Sequence, residues 1–390
     1  MPSALVDLQV ALRLGLREVG RRMRGLREPA PDLPRFRAAL DGALAAVPAE
    51  LVAEAAWLEL PASEPPWRDS GIALRAGDEL TYFAAGRAVA SRALDIWVAP
   101  RTQLWARIGE AGPIRSSSRD SNTLRAEQDG RLFFGNYFPN DWKDPSGARL
   151  KDDAVYGAMS GEIWILAVRW RGPAKEGLAA LAAAGDPLGV VSSERDRLAL
   201  GDPAPVGWHH LWNVGDTEVF RASQGPSGER ALACEVLGDA GVLQRDAAFA
   251  LRPDTKIAWR WRVDALPGLV REDSLPSHDY LSLAVEFANG LDLTYYWSVA
   301  LPVGAAYWCP LPNWKQREFH VVIRSGSDGL GAWYAERRDL HADALRYLGA
   351  PPGDVVRVWL IANSVFKRQR GSFSVADIRL RSGGEERVVL

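Results

Sequence analysis

The chain has 390 residues, room for two or three domains of ordinary size, and 47 basic against 49 acidic residues leave a net charge of −2. That balance excludes a whole-chain electrostatic case for nucleic-acid binding. A composition of 47% hydrophobic and 25% charged residues excludes a disordered chain, and no apolar run approaches the ~20 residues that span a bilayer.

The first residues carry no apolar stretch followed by a small-residue cleavage site, so no secretory signal is expected and the expected location is the cytoplasm. Leu5, Leu8, Leu12, Leu16, Val19, Met23 and Leu26 recur at spacings of three and four, which predicts an amphipathic helix. Arg13, Arg17, Arg21 and Arg24 form a second stripe on it, and Pro29, Pro31 and Pro34 stop it. Phe36, Leu40, Leu44 and Val47 predict a second helix, and residues 1–62 read together as a helical segment. An Arg-striped helix suits an anionic membrane surface; packing on its own domain, or on a second copy in a homo-oligomer, is the commoner use.

From residue 63 the texture changes to short apolar runs broken by Gly, Pro, Asn and Asp, as in Leu94–Val98, Arg131–Phe134 and Glu162–Val168. This predicts a β-sandwich over 63–172. An alanine-rich stretch and a Gly/Pro/Asp-rich one then read as a connector over 173–206. In 207–390, Ile257, Trp259, Trp261 and Val263 alternate with polar residues, as do Leu281–Phe287, Leu293–Val299 and Phe319–Ile323. Period-two alternation predicts sheets with one apolar and one polar face, and Asn289-Gly290 marks a hairpin. The expected fold is mainly β: two tandem β-sandwiches of jelly-roll, galactose-binding-like type behind an N-terminal helical segment. No repeat of 20–50 residues links the two β regions.

The strands Trp259-Arg260-Trp261-Arg262-Val263-Asp264 and Asp292-Leu293-Thr294-Tyr295-Tyr296-Trp297, with Asp279, Gly331-Ala332-Trp333 and Arg337-Arg338-Asp339-Leu340, resemble the motifs of a bacterial domain family of unknown function. The resemblance covers about 207–380 and implies a β-sandwich without assigning catalytic residues. Many members of that family are exported, and a chain without a signal departs from that habit. The middle region, at Trp67–Ile72, Gly77-Asp78, Gly86 and Gly161-Glu162-Ile163, resembles the calcium-dependent galactophilic lectins of the PA-IL type. Where those lectins place an Asn-Asn pair for calcium and sugar, this chain has Ala158-Met159, whose side chains offer no oxygen ligands. The resemblance therefore implies the fold without the calcium site.

No nucleophile elbow, zincin, P-loop or dinucleotide motif is present, so no organic cofactor is expected. Cys234 and Cys309 form no C-x-x-C pair, so neither a disulfide framework nor a cysteine-based zinc site is expected, and no metal. His209 and His210 are adjacent and point to opposite faces of any strand. Asp141, Asp144, Asp152 and Asp153 crowd one loop region; such density suits a hard cation, though solvated loop carboxylates are commoner.

The most chemically loaded stretch runs from Arg271 through His278, Asp279 and Tyr280 into a strand carrying Ser282 and Glu286, with Tyr296 across the hairpin. If that polar face is concave it forms a trough, with Trp297, Trp308 and Trp333 as walls and Arg260 at hand. Two readings stay open. One is a binding protein for a small molecule or glycan, using Tyr280, Arg260, Trp297, Trp308 and Trp333. The other is an enzyme without organic cofactor, a hydrolase, hydratase/lyase or cyclase, doing acid–base chemistry with His278, Asp279, Glu286 and Tyr296. Against both stands a solvated face on which Glu286 pairs with Arg260 or Arg262 and the tryptophans are core.

Overall fold

The computed structural model describes residues 4–24, 28–150, 152–201 and 204–390, with side chains from residue 8 onward except that of residue 22. The helix Ala4–Met23 forms as the periodicity predicts, but its leucine stripe faces outward: Leu8, Leu12 and Leu16 are each more than 60% exposed, whereas Val10 and Leu14 are buried. Leu26 and the side chain of Leu5 lie outside the described residues. The described residues contain no helix long and apolar enough to cross a membrane.

The chain divides into two compact units. The first comprises residues 18–202 with 212–215. Its helix Leu33–Ala45 starts where the Asp32 carboxylate accepts the Arg35 amide, with Pro34 in the first turn, and buries Phe36 and Leu40. The segment after it, read from the sequence as helical, is instead the strand Val52–Pro61. Ala, Glu and Leu there favour a helix, but pairing along the whole of Glu162–Trp170 outweighs that preference. Two four-stranded sheets follow. One runs Val52–Pro61, Glu162–Trp170, Glu79–Gly86, Ser121–Arg125; the other runs Trp67–Leu74, Gly130–Asn136, Leu104–Ile108, Arg115–Ser116. Their inner faces bury Leu58, Ile72, Leu80, Phe134, Ile163 and Ile165 between them. Residues 174–200 fold as two helices, Ala174–Ala184 and Val190–Leu200, whose Leu178, Leu181 and Val191 join Phe36, Leu40 and Trp170 in a second core.

The second unit comprises 204–211 and 216–390, together with residues before 18. A seven-stranded sheet runs His209–His210, Ala240–Phe249, Val355–Asn363, Tyr280–Phe287, Asp292–Ser298, Glu318–Ser325, Ala306–Trp308. Facing it is a sheet in which Arg370–Ser382 lies between Arg230–Leu237 and Lys256–Ala265. Trp259, Trp261, Leu283, Tyr295, Trp297 and Phe373 belong to the shared core. The predicted hairpin closes at Asn289-Gly290: Gly290 sits at φ +79°, open to glycine without strain, and Asn289 Oδ1 accepts the Leu291 amide. The molecule is thus mainly β, two sandwiches with helices at the N-terminus.

Candidate functional site

The alternation in Tyr280–Phe287 sends Leu281, Leu283, Val285 and Phe287 into the sandwich core, so Tyr280, Ser282, Ala284 and Glu286 stand on the opposite face. Register places Ser282 across from Tyr296, Thr294 beside His320 and Asp292 beside Glu318. The sequence leaves this face open as either a trough or a solvated surface. Instead every residue of Asp292–Ser298 is buried, and Tyr280 is only 5% exposed. Segments before and after the sheet's strands lie against the face, 266–279 through Glu272 and His278 and 309–317 through Cys309 and Trp314, and the loop 364–369 in turn binds Asp279 through the Phe366 and Lys367 amides. The polar face is therefore an interior compartment rather than an open trough.

Inside it the contacts are specific. The His278 ring bonds through Nδ1 to the Glu272 carbonyl at 2.7 Å, which leaves Nε2 3.4 Å from the Cys309 sulfur. Glu318 Oε1 accepts a hydrogen bond from the Tyr280 hydroxyl at 2.9 Å and lies 3.1 Å from the Thr294 hydroxyl, whose single proton it shares with Asp292 Oδ1 at 3.0 Å. His320 Nε2 is 3.3 Å from the same oxygen, at ion-pair distance, yet neither nitrogen of that ring has a partner in hydrogen-bond geometry. One ligand atom each from His278, Cys309, Glu318 and His320 lie within 4.8 Å of one another. Beside them Tyr296 and Tyr307 share a hydroxyl–hydroxyl bond of 2.9 Å, and Tyr307 stacks on His320 with ring centres 5.2 Å apart. Tyr307 is half-buried, and it marks the rim of the compartment together with Arg271. Ser282 Oγ is buried with no hydrogen-bond partner.

Burial sets the protonation states. It lowers His278 to about 3, helped by His320 beside it, so the ring is a neutral lone-pair donor. Burial pushes the Cys309 thiol and the Asp292 carboxyl well above their ordinary values, each helped by the neighbouring Glu318 charge. Burial would also raise Glu318, but His320, His278 and its hydrogen bonds outweigh that and hold it below the usual carboxylate range. The Glu318 carboxylate thus has an imidazole, His320, at ion-pair distance, 3.3 Å.

The structure gathers only some of the residues singled out in the sequence. His278, Tyr280 and Tyr296 meet in the compartment. Asp279 instead anchors the loop 364–369, accepting the Phe366 and Lys367 amides at 2.9 and 2.6 Å. Glu286 stands in the same row as Asp292, but its carboxylate is taken by Arg357 at 3.0 Å and the Trp359 indole at 2.9 Å, not by Arg260 or Arg262. Arg260 belongs to the other sheet and pairs with Glu229 at 3.0 Å. Trp297 is core, donating its indole N–H to the Gly326 carbonyl, and Trp308 lies half-exposed against Phe319. Trp333 stands before the strand Tyr334–Asp339, which belongs to the other sheet. Sequence reasoning missed Cys309, Glu318, His320 and Tyr307. The usable signal was Glu318 and His320 two apart on an alternating strand, hence on one face.

The first unit has its own polar interior. Trp142 contacts Trp67, Trp105 and Tyr137, and Tyr137 stacks on Tyr156. The Tyr156 hydroxyl donates to Asp141 and accepts the Phe138 amide. The other loop aspartates are spent locally: Asp152 caps a short helix at Ala154, Asp153 pairs with Arg149, and Asp144 holds the Ser146 turn. Gln103, wholly buried, has no partner for either amide atom, and the Trp142 indole N–H and Asn136 Oδ1 have none.

Residues 208–379 match the model of a family described as a protein of unknown function, DUF3047. No curated protein matches the chain. Among solved structures it is similar to the N-terminal domain of EclA, a PllA-like lectin, at 17% identity over 31% of this chain and 98% of that one, with a TM-score of 0.21. It is also similar to the xyloglucanase domain of NopAA, a type three effector from Sinorhizobium fredii, in complex with cellobiose: 9% identity, 46% and 94% coverage, TM-score 0.29. A third is the N-terminal CBM22-1–CBM22-2 tandem domain of Xyn10C from Paenibacillus barcinonensis, at 10% identity, 83% and 82% coverage and a TM-score of 0.22.

Proposed function

We propose that the chain is a binding protein whose second sandwich holds a sugar-sized polar molecule, or the end of a glycan, at the polar face of the seven-stranded sheet. The observation that carries this reading is the buried Ser282 hydroxyl without a partner, opposite Tyr296 on a face where the Tyr280, Thr294 and Tyr296 hydroxyls are all paired. A buried unpaired hydroxyl costs about 1–3 kcal/mol, a cost that a bound ligand removes. The tyrosine rings supply stacking surface, and Arg271 with Tyr307 stands at the rim where such a ligand enters. Binding is favoured over turnover because Asp279 and Glu286, the carboxylates an acid–base reaction needs, are both consumed in fixed contacts.

The test is native mass spectrometry of the purified full-length protein for a co-purified molecule, followed by calorimetric titration with monosaccharides and small organic acids. One ligand per chain is expected, with Ser282→Ala and Tyr307→Phe each weakening it by up to about tenfold, the worth of one hydrogen bond. Affinity unchanged in both variants, or no binding of any of these compounds, overturns the reading.

A further inference from the structure

We infer that His278, Cys309, Glu318 and His320 form a closed binding site for one zinc ion that ties the covering segments to the sheet. The inference is independent of the small-molecule reading, since it uses different atoms of the compartment.

Four observations converge on it. The donor set is two imidazoles, a thiol and a carboxylate, the three ligand types zinc takes, and all four side chains are almost wholly buried. The spacing fits. With Zn–N near 2.0–2.1 Å and Zn–S near 2.3 Å, tetrahedral edges come to about 3.3 Å between nitrogen and oxygen and about 3.6 Å between nitrogen and sulfur. The His278–Cys309 and His320–Glu318 separations are 3.4 and 3.3 Å. The longest separation in the set, 4.8 Å, asks for a contraction of about 1 Å.

The outer contacts are those a metal site needs. The Glu272 carbonyl takes the Nδ1–H of His278 and turns its Nε2 lone pair inward, while the Tyr280 hydroxyl fixes the Glu318 carboxylate. Finally, His320 is wholly buried and its Nε2 lies 3.3 Å from Glu318 Oε1 without hydrogen-bond geometry, so a metal bond would satisfy that nitrogen.

Charge also closes. On binding, the Cys309 thiol gives up its proton to solvent, and Zn²⁺ with one thiolate, one carboxylate and two neutral imidazoles sums to zero. Buried charges persist when they are paired or coordinate a metal, and no Lys or Arg salt bridge to Glu318 occurs among the described residues. Four protein ligands leave no open position, which makes the site structural rather than catalytic. It would join the segment carrying His278, the residue after the short strand Ala306–Trp308, and the strand Glu318–Ser325.

The experiment uses untagged full-length protein, reduced and refolded with zinc or with cobalt alone, and counts metal by elemental mass spectrometry. One zinc per chain is expected, and the cobalt form should show a thiolate-to-metal charge-transfer band. Cys309→Ser should abolish that band and lower affinity by more than a hundredfold, whereas Cys234→Ala should keep both. If Cys309→Ser does not fold, the band in the wild-type protein and a cobalt affinity lowered at least about tenfold in Glu318→Gln or His320→Gln decide, and affinity unchanged in both overturns the inference. A folded, reduced wild-type chain that takes up neither metal, or cobalt bound without the band, overturns the inference. Failure here with ligand binding still sensitive to Tyr307→Phe would leave the small-molecule reading standing.

Discussion

Both sandwiches bury polar side chains, but they bury different kinds. In the first unit the interior around Trp142 holds amides, indoles and hydroxyls, groups that pair one hydrogen bond at a time, as Tyr156 does between Asp141 and Phe138, or stay unpaired, as the Gln103 amide does. In the second unit the compartment holds two imidazoles, a thiol and a carboxylate converging on one point. A hydrogen-bonding interior can be repaired by any water of the right size. Four ligand atoms of zinc-binding type within 4.8 Å of one another suit a single cation instead. The same architecture thus carries one polar interior that reads as packing and one that reads as a site.

Changes in each region test that distinction. The largest effect should come from Cys309→Ser, which should weaken zinc by more than about a hundredfold in competition with a chromogenic chelator, since loss of an outer contact alone costs 10–100-fold. Tyr156→Phe in the other unit should leave zinc untouched and cost about 1–3 kcal/mol in denaturant unfolding, because Asp141 and the Phe138 amide each lose a partner. If zinc affinity moved with it, the two interiors would not be separate. Gln103→Met replaces an amide with no partner by an apolar side chain of similar size and should stabilise by about 1–2 kcal/mol. A loss of stability instead would show that a buried water holds the amide. The smallest effect belongs to Glu286→Gln: its ion pair with half-exposed Arg357 is worth at most about 1 kcal/mol, and neither zinc nor ligand binding should change.

The sheets were legible because alternation survives as written: Trp259, Trp261, Leu283 and Val285 all face the core as their parity predicts. The Asn289-Gly290 turn was legible because its chemistry is local. The helix Ala4–Met23 was legible as a helix but not in its orientation, since the face it buries, with Val10 and Leu14, belongs to neither of the two stripes that the spacing marks. Half of the compartment was legible too, in His278, Tyr280 and Tyr296. The rest was not, because parity says which residues share a face but not which loop folds over it. Cys309, far along the chain from His278, comes within reach only when 309–317 closes on the sheet. Glu286 shows the converse: it has the right parity, yet Arg357, 71 residues on and directly opposite it on the neighbouring strand, claims it.

The strand Arg370–Ser382 lies in the middle of its sheet, bonded to Arg230–Leu237 on one side and Lys256–Ala265 on the other. On a ribosome the chain emerges in order, so both neighbours are out long before the strand that joins them. Until it arrives, each presents an open row of amides and carbonyls beside a half-covered set of tryptophans. The second sandwich is therefore closed only once Arg370–Ser382 has joined the two strands it lies between, both of which come much earlier in the chain.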